Sequence, residues 1–187
     1  MILPLERDEL LSRWEGWRHF AEDPALEKPQ SLSTKQIEKL SEDERVAYDY
    51  HRERYHANFL VTTPQVKRLN VRLWDLLDAN QQGPSRVKGA AIIDSPPGLG
   101  KTTAVDAFGR AFHRRQILRH GKDFDEGQTL RIPVCHVAFK GNTTTRALNE
   151  AILNFYNHPS ADAAQTRYLR NRNLATLAAE SVRRHGT

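Results

Sequence analysis

The chain has 187 residues, 39% of them hydrophobic and 27% charged, which supplies apolar material for a core and matches a soluble globular protein. No apolar run reaches the roughly 20 residues of a membrane-spanning helix, and Met1 to Arg7 lacks the basic-then-apolar pattern of a signal peptide, so the expected compartment is the cytoplasm with no membrane partner. The formal charge of +5 is uneven: residues 1–100 carry 14 basic and 16 acidic side chains and residues 101–187 carry 14 and 7, so the second half presents either a solvated cationic face or contacts to nucleic-acid phosphates.

Residues 1–32 read as a weakly ordered leader in which Leu10, Trp14 and Trp17 share one face of a short helix before Pro24 and Pro29 break the pattern. Ser33 with Gln36, and Ser41 with Glu44, have capping-box spacing, and the acidic run Glu42 to Glu44 suits a helix N-terminus, predicting a helix from Glu42 to Asn58. Thr63-Pro64 punctuates the chain, and Val66, Leu69, Leu73, Leu76 and Leu77 then recur at helical spacing, predicting an amphipathic helix that ends near Asn80 to Ser85. Gly89 to Asp94 reads as a short buried strand. Val105, Phe108 and Phe112 mark a helix from Lys101 to about Arg119, followed by a polar stretch from His120 to Thr129 and a second strand candidate, Ile132 to Phe139. Cys135, in that run, has no second cysteine to pair with and reads as a small core residue. Leu148, Ile152 and Phe155 predict another amphipathic helix, and Leu169, Leu174, Leu177 and Val182 a last one.

Between the first strand candidate and its helix lies Ser95-Pro96-Pro97-Gly98-Leu99-Gly100-Lys101-Thr102-Thr103. This is the phosphate-binding pattern G-x-x-x-x-G-K-[ST] with Ser95 in place of the first glycine. The chemistry tolerates that departure because the anion is held by backbone N–H groups at a helix start, where the helix dipole is also positive. Gly98 and Gly100 let phosphate oxygens approach the main chain, Lys101 reaches the β and γ phosphates, the Thr102 hydroxyl ligates Mg²⁺, and Thr103 caps the helix or meets the α phosphate. No Asn-Lys-x-Asp element for guanine follows, so ATP with Mg²⁺ is the expected ligand. An acid that ends a buried strand, needed for hydrolysis, is not evident: Asp123, Asp125, Glu126, Glu150 and Asp162 all read as surface residues. His136 and His158 have no partners at metal-ligand spacing.

Taken in order, Arg54-Tyr55-His56-Ala57, Thr63-Pro64-Gln65-Val66, the loop Asp94 to Thr103, Ile132 to Val137 and the helix with Leu148, Ile152 and Leu153 resemble the TniB/TnsC group of AAA+ transposition ATPases over residues 45–187. The resemblance implies an α/β fold: the N-terminal part of a three-layer P-loop NTPase with an incomplete sheet, carried by residues 61–187, behind a helical N-terminal extension, residues 1–60. The family's strand order, 5-1-4-3-2, separates the two strand candidates, which predicts unpaired edges, marginal stability and aggregation. In the full-length form, the resemblance implies an ATP-binding regulator that oligomerises, binds target DNA and recruits a transposase. Val182 to Thr187 matches the basic turn that precedes the Walker B strand, so the chain corresponds to the part before the catalytic acid. His113 to His120 is the candidate DNA-contacting segment, read otherwise as a solvated helix end. Other readings of the same motif are a helicase loader or defence switch of the AAA+ class, or a gene remnant without activity.

Overall fold

The computed structural model describes residues 11–24, 27–57, 61–82, 87–124, 129–139, 141, 143–161 and 171–187. Leu10, Asn58, Ser85, Asp125, Glu126, Asp162 and Leu169, named above, lie outside them. The chain divides into two compact units, one of Met1–Asp23 with Phe108–Thr187 and the other of Pro24–Ala107.

The unit of residues 24–107 is built on helices with well-formed starts. Helix α2 (Thr34–Ile37) follows Ser33, whose N–H donates to Gln36 Oε1 at 2.8 Å. Helix α3 (Glu42–Ala57) follows Ser41, whose N–H and hydroxyl both donate to Glu44 Oε2 at 2.8 Å; these bonds hold the Glu44 carboxyl below its usual range. Helix α4 (Pro64–Gln81) has Pro64 in its first turn and Thr63 Oγ1 accepting from Val66 N at 3.2 Å. Its predicted stripe, Val66, Leu69, Leu73, Leu76 and Leu77, is the half-buried side of the helix, and none of it is fully buried. Helix α5 (Lys101–His120) begins in this unit and ends in the other.

The other unit holds the better core. Helix α1 (Trp14–Glu22) buries Trp17 and Ala21 in a cluster with Leu11, Ile132, Phe155 and Tyr156. The Trp17 indole N–H donates to His113 Nδ1 on α5 at 3.3 Å, and its ring stacks on His136 at 5.5 Å. Gly109 is required at the facing turn of α5, since a Cβ there would lie 2.8 Å from Trp17 Cη2. After α5 come strands β1 (Asp123–Phe124) and β2 (Thr129–Leu130), then helix α6 (Thr145–Phe155), a 3-10 turn at Pro159–Ala161 and helix α7 (Asn171–Arg184). Leu153 on α6 packs with Leu174 and Ala178 on α7 in a second apolar cluster. The C-terminal turn closes on the segment after β2: Ile132 N donates to His185 O at 2.9 Å, Thr187 Oγ1 bonds Ile132 O, and the His185 ring stacks on Tyr156 at 4.8 Å.

The three-layer α/β expectation is overturned. Of the described residues 62% are helical and 3% are strand, and the only sheet among them is the antiparallel pair β1–β2, with Asp123 opposite Leu130 and Phe124 opposite Thr129. Neither strand candidate joins a ladder. Gly89 to Asp94 has no strand assignment and is largely exposed, with Ile92 at 94%, and Ile132 to Phe139 is irregular although Ile132 and Pro133 are buried. The reason is physical: a strand exists only through inter-strand hydrogen bonds, and an apolar run without a neighbouring strand has none to make.

The Trp17–His113 bond makes this unit sensitive to acid. Trp17 can only donate, so His113 Nδ1 must stay unprotonated, and Nε2 of this buried ring finds no partner among the described residues. Desolvation lowers the His113 pKa, with Arg114, Arg18 and Lys122 adding to the shift and Glu22 opposing it. A folded pKa below the unfolded value of about 6.5 means that the unfolded chain binds the proton more readily, so the stabilisation is complete above about 6.5 and is lost as pH falls through and below that value. The expected slope is at most about 1.4 kcal/mol per pH unit for one proton. Urea midpoints between neutral pH and pH of about 5 measure it, and a His113→Asn variant, whose amide oxygen accepts from Trp17 without titrating, flattens the profile by that amount.

Candidate functional site

The loop before α5 is shaped by two glycines. Pro97, Gly98 and Leu99 form a turn, and Gly98 and Gly100 take φ of 79° and 74°, a region in which a side chain is strained. A Cβ built on either glycine meets nothing within 4 Å, so the space over the loop is open. Helix α5 starts at Lys101, and its first backbone bond runs from Ala104 N to Gly100 O at 2.9 Å. The N–H groups of Lys101, Thr102 and Thr103 precede that bond and have no intrahelical acceptor. No acidic residue occupies the first turn to compete for them.

Lys101 is half-buried and folds back over the loop, its ammonium donating to Ser95 O and, at 3.1 Å, to Pro96 O. Ser95 is half-buried, whereas Pro96, Pro97, Leu99, Thr102 and Thr103 are exposed. The sequence-predicted residues Ser95 to Thr103 are thus a contiguous turn and helix start, with donors, one cation and two hydroxyls on open backbone. This donor set fits a phosphate chain, and the Thr102 oxygen is the hard ligand that Mg²⁺ prefers. The extended approach to the loop is anchored on α4: Asn80 Nδ2 donates to Gly89 O at 3.0 Å, Asn80 Oδ1 accepts from Gly89 N at 2.8 Å, and Leu76 lies where a Gly89 side chain would go.

The other candidates have structural occupations. Arg114, in the basic segment, donates to Ala21 O at 2.6 Å and to Asp23 O, and Arg110 also bonds Asp23 O, so both arginines cap the C-terminus of α1. His113 is in the core, while Arg119 and His120 stay exposed at the end of α5. Cys135 is half-buried against the Trp17 cluster, and burial pushes its thiol up to about 12, so it is no thiolate at neutral pH. His158 Nδ1 accepts from Ser160 N at 3.1 Å, and Glu150 pairs with Arg146 at 2.8 Å. Asp123 is exposed in β1. Among the described residues no three His, Cys, Asp or Glu side chains gather at a metal site.

Asp106, one turn beyond Thr102 on α5, is 2% exposed and was not singled out by its sequence context, because a lone acid in a helix carries no periodic signal of burial. Two cavities lie within the unit holding α1, one of about 280 Å³ lined by Ser12, Arg13, His136 and Asn154 and one of about 370 Å³ lined by Glu22, His113, Arg114 and Lys122. The Ser95–Thr103 loop lines neither. Among the described residues no helix is long and apolar enough to cross a membrane. No family model, curated protein or solved structure matches the chain.

Proposed function

We propose that the Ser95–Thr103 loop binds ATP with Mg²⁺, and that the chain is the nucleotide-binding part of a regulator resembling the TniB/TnsC transposition ATPases. The observation that carries the first statement is the pair of unobstructed positive-φ glycines set directly before a 20-residue helix whose first residue is a lysine. The N–H groups of the first turn of α5 hold the phosphate oxygens, and the Lys101 ammonium exchanges its two carbonyl partners for phosphate oxygens as the ligand enters. Thr102 would supply one hydroxyl oxygen to a magnesium ion, which would offset phosphate charge at the loop. Oligomerisation, DNA binding and transposase recruitment in a full-length form belong to the resemblance and are part of the proposal.

Calorimetric titration of the chain with ATP in Mg²⁺, with GTP and with EDTA as comparators and phosphate release followed in the same sample, tests this reading. Saturable binding that prefers ATP and weakens on chelation is expected, without turnover. Absence of binding overturns the site assignment. Anisotropy of labelled duplex DNA with and without ATP tests the transposition reading, which requires nucleotide-dependent DNA binding.

A further inference from the structure

We infer that the cavity between the C-terminal end of α1 and the last turns of α5 binds a small organic carboxylate with an aliphatic body, the carboxylate accepting a hydrogen bond from His113 Nε2. The cavity, of about 370 Å³, is lined by His113, Arg114, Ile117 and Leu118 of α5, by Glu22 at the end of α1 and by Lys122 just after α5. Residues 113 and 117, and 114 and 118, stand four apart on the helix and so share a face. The volume lies at the lower end of the range of about 300–1,000 Å³ for small-molecule sites. The Ser95–Thr103 loop is no part of it, and the inference stands apart from the nucleotide reading.

A single buried donor calls for the ligand. His113 is 2% exposed, and its Nδ1 accepts from the Trp17 indole. The neutral ring therefore carries its proton on Nε2. That N–H has no hydrogen-bond partner among the described residues, a state that buried polar groups rarely keep. With Nδ1 turned to Trp17, the part of the ring left to line the cavity is the part that carries Nε2. An acceptor entering the cavity completes it.

The class of acceptor follows from the charges and the walls. Arg114, Arg18 and Lys122 act on the ring as cations and Glu22 as an anion, which favours a charged oxygen over a neutral one. Arg114 is held in place by its bonds to Ala21 O and Asp23 O. Lys122 and Glu22 form a surface pair 3.4 Å apart, which opens at little cost and frees the ammonium for the same carboxylate. Nε2 is out of contact with solvent, so the acceptor reaches it as this rim opens. Ile117, with Leu118 at 88% exposed, gives an apolar wall that phosphate or sulfate would leave in water and an aliphatic body would cover.

Titration of the ¹⁵N-labelled chain with sodium hexanoate, followed at the side-chain N–H resonances of His113 and Trp17, tests the inference. Saturable downfield movement of the His113 Nε2–H signal is expected, with hexanol and hexylamine at least about tenfold weaker. His113→Asn keeps an acceptor for Trp17 but has no donor at the Nε2 position, and should weaken hexanoate by about tenfold or more at the backbone resonances of Ile117 and Leu118. Glu22→Gln, which releases Lys122, should tighten it. If His113→Asn does not fold, the ranking of the three probes on the unaltered chain and the effect of Glu22→Gln decide. Absence of a saturable shift, meaning that the cavity holds water alone, would overturn the inference. So would equal binding of the three probes, weaker binding in Glu22→Gln, or undiminished binding in folded His113→Asn.

Discussion

Replacing Trp17 with alanine is expected to lower the unfolding free energy by about 3–5 kcal/mol, the range for truncating a buried tryptophan. The indole is 1% exposed, stacks on His136, meets Phe20 with ring centroids 5.6 Å apart, bonds His113 and fills the space that Gly109 leaves open. Alanine removes all four contacts and strands His113 Nδ1 in the core without its donor. A domain of this size has about 5–15 kcal/mol in total, so the loss is a large share of it. Urea denaturation followed by circular dichroism measures the change without relying on indole fluorescence. Trp14→Ala is the control, because Trp14 is half-buried and its ring is covered on one side by Arg18 at 5.2 Å, and it should cost clearly less. Equal midpoints for the two variants would contradict the packing described for α1.

Replacing Lys101 with methionine is expected to weaken ATP binding about 10–150-fold, corresponding to roughly 1.5–3 kcal/mol for a hydrogen bond to a charged group. Methionine keeps the aliphatic stem, so the test isolates the ammonium. Without ATP, the variant should unfold near the midpoint of the parent chain, since the carbonyls of Ser95 and Pro96 that Lys101 bonds can turn to water. Thr102→Val, which removes the hydroxyl at nearly constant volume, should reduce the dependence on Mg²⁺ while leaving part of the magnesium-free affinity. Unchanged ATP affinity in Lys101→Met would place the phosphates elsewhere.

Much of the helical order was legible along the chain, because the signals that start and stop a helix are local. Ser41 with Glu44 begins α3 and Thr63-Pro64 begins α4, each through bonds spanning three residues. Thr144, whose hydroxyl accepts from Ala147 N, caps α6 in the same way, a signal outside the apolar spacing of Leu148, Ile152 and Phe155 that predicts this helix. The Ser95–Thr103 loop was legible for the same reason: its two glycines and the lysine that follows act within a single turn of chain. What a side chain on that loop or on α5 touches was less so. Arg114 and His113 read as members of a basic helix end, yet one caps α1 and the other bonds Trp17, partners more than 90 residues away.

The sequence by itself determined where α3 and α5 begin, the glycine turn before α5, and the lysine and threonine in its first turn, since each depends on neighbours within a few residues. Only the tertiary structure decided the fate of the two apolar runs read as strands. Gly89–Asp94 and Ile132–Phe139 have strand composition, but a ladder needs a second backbone at hydrogen-bonding distance. The first run instead has its Gly89 held by the Asn80 amide, and the second starts against the C-terminal turn through His185 and Thr187. Composition records a preference for extended backbone, whereas a sheet is a relation between segments that no single segment encodes.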